Sequence, residues 1–190
     1  HTNMTLTATE RQFLHIAKAA VSGGDIPAEN VDWPAIFTLA NQQKLLPILF
    51  EAVRKMPAAE ENVALFAVTK QQVIGQVLNQ TVRSAEFSDL YHKLRSAGLH
   101  PIVVKGQLCS RLYPLKDHRI SADDDLYISD AEFMACHKQL LANGLTTDTP
   151  ADELATADEV SYTKNGSPLY IELHRHLFDS AEDAHDELNH

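Results

Sequence analysis

Apolar residues recur at three- and four-residue intervals through the first half of the chain, a spacing that predicts helices. Phe13, Ile16, Ala17 and Ala20 form one stripe behind a Thr7 to Glu10 capping box, and Gly23-Gly24 ends it. Asp32 is placed to cap a second helix, with Pro34 in its first turn and Trp33, Ile36, Phe37 and Ala40 on its apolar side. A third is expected over Leu46 to Lys55, with Pro47 early in it, and Pro57 is expected to break the chain. From Ala58 to about Ser96 the period stays helical, weakened by Gly75, so one long helix or two with a bend is predicted. Gly98 is the natural residue to end it.

After His100-Pro101 the pattern changes. Ile102, Val103 and Val104 form a short β-branched run without helical period, which predicts a buried strand ending at Lys105-Gly106. A helix is expected over Gln107 to Tyr113, a second strand over Asp124 to Ser129, and a helix over Asp130 to Ala142 that stops at Asn143-Gly144. Glu159 to Lys164 and Leu169 to His174 read as two further strands around an Asn165-Gly166 hairpin turn. These elements predict an α+β chain: a helical region over 4–98, a small mixed sheet with flanking helices over 99–178, and the start of a further, truncated helix over 179–190. His1-Thr2-Asn3 before Met4 is excluded from this reading as a foreign leader.

The 190 residues suffice for one generous domain or two small ones, and the apolar fraction of 44% is ordinary for a globular protein. A formal net charge of −10 argues against attraction to nucleic acid or anionic membranes, although Lys105, Arg111, Lys116 and Arg119 are a local basic patch. Cys109 and Cys136 form neither a disulfide framework nor a zinc set, and they suit a reducing compartment. No run of roughly 18 apolar residues and no signal-peptide pattern occurs, so a cytoplasmic protein without a membrane partner is expected.

Candidate chemistry concentrates around Asp123-Asp124-Asp125. On a strand, Asp123 and Asp125 point to one face, and two carboxylates at a strand end can share Mg²⁺ with substrate phosphates and water. Acidic pairs at strand ends are commonly just solvated, so the surroundings decide. Upstream, Gly106 permits close backbone approach, and the helix expected after it offers amides to a phosphate. Lys105 and Arg119 are cations near the same place. On the last strand, Tyr170, Glu172 and His174 share a face, and Glu172 is a carboxylate in an apolar strand, costly to bury unless paired or bound to metal. His174 and His176 form an H-x-H pair that lacks further zinc ligands, so His174 is read as supporting Glu172 or a phosphate. The clusters at 148–159 and 179–187 read as solvated loops, Trp33 as core, and both cysteines as small buried apolar residues.

Taken together, Lys105-Gly106, Tyr113-Pro114, Arg119 with Asp123, Asp125 and Leu126, and Ile171-Glu172-Leu173-His174 resemble the uncharacterised nucleotidyltransferase family of the polymerase-β-like superfamily. Asp32-Trp33, Ala40-Asn41-Gln42 and Leu46-Pro47-Ile48-Leu49 are similar to that family's N-terminal region. The resemblance implies a nucleotidyltransferase core, metal-binding catalytic carboxylates at Asp123, Asp125 and Glu172, and Mg²⁺ or Mn²⁺ as cofactor. It implies phosphate contacts from Lys105, Gly106, Gln107 and Arg119, with a nucleoside triphosphate as donor. The superfamily's helix-opening Gly-Ser is replaced by Gly106-Gln107, Asp124 stands at a usually apolar position, and Tyr127 replaces an aliphatic. Asp124 is therefore expected to face the packed side of the sheet and to need a partner or a solvent path there. The acceptor expected is a small molecule or a protein rather than RNA, with the helical region available to a protein partner. The rival expectation is a non-catalytic nucleotide-binding or partner-regulating module with the same fold. A toxin–antitoxin type enzyme is a further alternative.

Overall fold

Residues 6–26, 29–103 and 124–175 are described by the computed structural model. The chain enters helix α1 (Ala8–Ser22) through a closed capping box. The Glu10 amide donates to the Thr7 hydroxyl at 3.1 Å, and the Thr7 amide donates to the Glu10 carboxylate at 2.7 Å. Gly23, at φ 75°, takes the left-handed conformation that ends the helix. Helix α2 (Trp33–Gln42) is capped by Asp32, whose carboxylate accepts from the Ala35 amide at 3.2 Å, and it carries Pro34 in its first turn. Helix α3 (Leu46–Val53) stops two residues short of the expected Lys55.

Pro57 opens a helix instead of only breaking one. It starts α4 (Pro57–Glu61), where a missing N–H costs nothing. Helix α5 (Val63–Ser96) follows, 34 residues long and continuous through Gly75. The interruption in the long helical stretch therefore falls at Asn62, not at the glycine. The Asn62 side chain donates to the Ala58 carbonyl at 2.9 Å, a local bond that competes with continued helix.

The chain divides into two units, and the division falls inside α5 between Thr81 and Val82. In the first, α1, α2, α3 and the start of α5 bury Phe13, Ile16, Ile36, Leu49 and an aromatic group around Phe66. The Phe66 ring lies 5.7 Å from Trp33 and 5.2 Å from Phe37, both edge-on, which is a favourable quadrupole arrangement. Trp33 is core, as its place in the helical stripe predicts.

The second unit holds a five-stranded sheet in the order β1-β2-β5-β4-β3. The strands are β1 (Ile102–Val103), β2 (Asp124–Ile128), β3 (Leu145–Thr146), β4 (Glu159–Lys164) and β5 (Tyr170–Arg175). β2 and β5 are parallel, and the other pairs are antiparallel. Helix α6 (Asp130–Ala142) occupies the residues its pattern predicts. Leu126, Ile128, Val160, Tyr162, Ile171 and Leu173 turn to one face and form a core with Phe87, Leu90 and Leu94 of α5 and Phe133, Cys136 and Leu140 of α6. The fold is α+β. β3, two residues long, is too short to leave a period in the sequence. β5 starts one residue later than expected because the Leu169 amide donates to the Ser167 hydroxyl at 3.0 Å and leaves the ladder. It runs on to Arg175, paired with Ile128 of β2.

The acidic stretch 148–159 is more than a solvated loop. Arg175 donates to the carbonyls of Leu154, Ala155 and Ala157, pairs with Asp130, and lays its guanidinium 3.9 Å from the centre of the Phe133 ring. Leu154 is buried, and Glu159 belongs to β4. Among the described residues no helix is long and apolar enough to cross a membrane. The helix expected at 107–113, Cys109, the basic patch and the elements expected beyond residue 175 lie outside the described residues.

Candidate functional site

Strand alternation splits Asp124 from Asp125. Asp124 turns to the packed face, where it is 3% exposed, and Arg83 of α5 reaches it with Nε at 3.1 Å from Oδ2. Arg83 also donates to the Tyr170 carbonyl at 3.3 Å. A buried carboxylate is costly unless paired and hydrogen-bonded, and this guanidinium meets that need. The partner expected for Asp124 thus exists, and it comes from the long helix.

Asp125 turns to the opposite face. Its register partner on the parallel strand β5 is Glu172, and Tyr127 is likewise aligned with His174. Parallel neighbours lie about 4.8 Å apart, so aligned side chains meet on the sheet surface. One ligand atom each from Asp125, Glu172 and His174 lies within 4.8 Å of the others. His174 Nε2 is 3.4 Å from Asp125 Oδ1 and 3.8 Å from Glu172 Oε2, while Nδ1 is 3.5 Å from Glu159 Oε2 of β4. The imidazole therefore sits closer to Asp125 than to Glu172, the neighbour expected from sequence. Tyr127 stacks on it with ring centres 4.6 Å apart and planes 11° from parallel. Asp125 is buried, and Glu172 and His174 keep a limited opening to solvent.

This donor set fits a hard divalent cation. Two carboxylates supply the oxygens that Mg²⁺ or Mn²⁺ prefers, and the imidazole, flanked by carboxylates on both nitrogens, is positioned to orient them. The remaining residues singled out by the pattern, Asp123, Lys105, Gly106, Gln107, Arg119 and His176, lie outside the described residues.

Two residues of this arrangement escape a reading by sequence alone. Arg83 precedes Phe87, Leu90 and Leu94 by four, seven and eleven positions, so extending that stripe backwards places it on the buried side of α5. Glu159 depends on hairpin register. A two-residue turn closed by Lys164 and Ser167 would set it opposite Glu172, but the observed ladder sets it opposite His174. Pro168 has no amide to continue the ladder, so pairing resumes only at Thr163 with Tyr170.

Other reactive groups of this unit are sealed away from the cluster. Burial pushes the Cys136 thiol up to about 12, so it stays protonated and inert. His137 and Tyr162 are buried together, with Nδ1 and Oη 2.8 Å apart. Burial raises the phenol and holds the imidazole below its ordinary value, Lys138 adding to the latter, so the hydrogen bond joins a neutral His137 to a neutral Tyr162 hydroxyl.

The family model of the uncharacterised nucleotidyltransferases matches residues 29–190. The chain belongs to this family. Comparison with curated proteins and with solved structures finds no match. Membership places the protein among nucleotidyltransferases as a reaction class, and the acid cluster lies within the matched region.

Proposed function

We propose that the protein transfers a nucleoside monophosphate from a nucleoside triphosphate to an acceptor hydroxyl in a reaction that depends on a divalent cation. The observation that carries this reading is the side-by-side placement of Asp125 and Glu172 on parallel strands. Asp125 and Glu172 hold Mg²⁺ or Mn²⁺, joined by Asp123 on the strength of the sequence pattern. A cation bound there neutralises charge on the triphosphate oxygens. Glu172, less buried than Asp125, also accepts the proton of the acceptor hydroxyl. The acceptor oxygen forms its bond to the α-phosphorus as the bond from that phosphorus to the bridging oxygen breaks, and the electron pair leaves with pyrophosphate. His174, braced by Tyr127 and Glu159, keeps the two carboxylates in place. Lys105, Gly106, Gln107 and Arg119 are assigned to the phosphates by their pattern, and the protein acts in the cytoplasm.

Thermal unfolding with ATP or CTP, with and without Mg²⁺ or Mn²⁺, tests the reading. Stabilisation is expected only when metal and triphosphate are both present, amounting to about 2.7 kcal/mol at a hundredfold excess over Kd. Asp125→Asn is expected to abolish it. Equal stabilisation of that variant would overturn the assignment.

A further inference from the structure

The carboxylate cluster is one end of a longer feature on the same sheet face. Ser161 of β4 stands opposite Glu172, Thr163 stands opposite Tyr170, and Thr146 of β3 stands opposite Thr163. Thr146, Ser161, Thr163 and Tyr170, with Asp148 and Glu159, border a groove of about 370 Å³. Among the described residues, each one that lines it carries a hydroxyl or a carboxylate, and none is a lysine or arginine. Glu159 belongs to both features, since it also faces His174.

That lining selects by charge. A triphosphate brings several negative charges and meets, among the described residues of the lining, no cation and two further carboxylates. A ligand that donates hydrogen bonds and carries positive charge is complementary to hydroxyl and carboxylate oxygens. The volume lies near the lower end of small-molecule pockets, roughly 300–1,000 Å³, and suits a compound of about monosaccharide size. The position selects by reaction. Ser161 is the direct cross-strand neighbour of Glu172, so a hydroxyl of a molecule seated over Ser161 lies beside the carboxylate assigned to take its proton.

We infer that this groove is the acceptor subsite and takes a small polyhydroxylated amine in its ammonium form. The inference rests on the reading of the Asp125–Glu172 cluster as the transfer site. Asp148 and Glu159 hold the ammonium group, and Ser161, Thr163 and Tyr170 hold hydroxyls. The negative charge of the groove keeps the triphosphate on the cluster side.

The test is a titration of the full chain with glucosamine, glucose and glucuronate, without nucleotide or metal, in mildly acidic buffer that keeps the amine charged. The three share one ring and differ in charge. Glucosamine is expected to bind most tightly and glucuronate most weakly, with about a tenfold span, the effect of one well-placed charge pair. Asp148→Asn is expected to narrow the span, and Thr163→Val to weaken all three; both positions are exposed, and unfolding midpoints check that the variants fold. Equal affinities, a preference for glucuronate or no binding at all would overturn the inference. The two readings fail separately. Absent sugar preference alongside metal-dependent triphosphate binding removes the groove's role and leaves the cluster's. Sugar preference alongside triphosphate binding that Asp125→Asn does not change removes the acceptor assignment together with the transfer site.

Discussion

Arg83 and Asp124 form an ion pair in the interior of the second unit, with Nε 3.1 Å from Oδ2 and each side chain 5% exposed. One residue further along β2, Asp125 is turned to the other face and belongs to the cluster with Glu172 and His174. Two adjacent aspartates thus hold opposite positions. One is tied by an arginine on the packed side, and the other lies beside Glu172 and His174 on the opposite face.

Breaking the buried pair from one side leaves an uncompensated charge. Arg83→Met is expected to destabilise the protein by about 3–5 kcal/mol, and Asp124→Leu by a similar amount. Replacing both together is expected to recover most of that loss, because two apolar side chains can fill the same space without desolvating a charge. Chemical denaturation of the two single variants and the double variant measures this directly.

The cluster on the opposite face is expected to respond the other way, losing function and keeping stability. Glu172→Gln is expected to lower the turnover of labelled triphosphate by about 10²–10⁴-fold, the usual contribution of a general base, with an unfolding midpoint close to that of the unaltered protein. Chelation with EDTA is expected to stop transfer, and added Mg²⁺ or Mn²⁺ to restore it.

His137 gives the fold a dependence on pH. Its folded value lies below the ordinary 6.5 because burial penalises the imidazolium, and Lys138 acts in the same direction. Above that ordinary value both folded and unfolded chains hold it neutral, and its contribution is fully present. As the pH drops below it, the unfolded chain takes up the proton first, so stability falls until the folded imidazole is charged too. Midpoints of urea unfolding across mildly acidic pH are expected to decline on acidification, and His137→Gln is expected to flatten that part of the profile.

In the first unit the exposed cap of α1 gives an independent check. Thr7→Ala removes the hydroxyl that accepts from the Glu10 amide and is expected to cost about 1 kcal/mol. Gly23→Ala forces a side chain into the left-handed region at φ 75° and is expected to cost a comparable 1–2 kcal/mol or so. Thermal unfolding followed by circular dichroism reads both.

Much of this architecture is written locally in the chain. The Thr7 and Asp32 caps, the Gly23 terminus, α6 and β4 follow from hydrogen bonds and periods spanning a few residues. So does the division of labour in the acidic run, because a strand must send Asp124 and Asp125 to opposite faces whatever it pairs with. Beyond the β4–β5 hairpin that Asn165-Gly166 signals, the chain alone could not determine which strands become neighbours. Only the tertiary structure places β5 beside β2 in parallel, so that Glu172 aligns with Asp125, and brings Arg83 to Asp124 across 41 positions of sequence. Such pairings repay loop-closure entropy through burial and hydrogen bonds made at long range, and no short-range pattern records them.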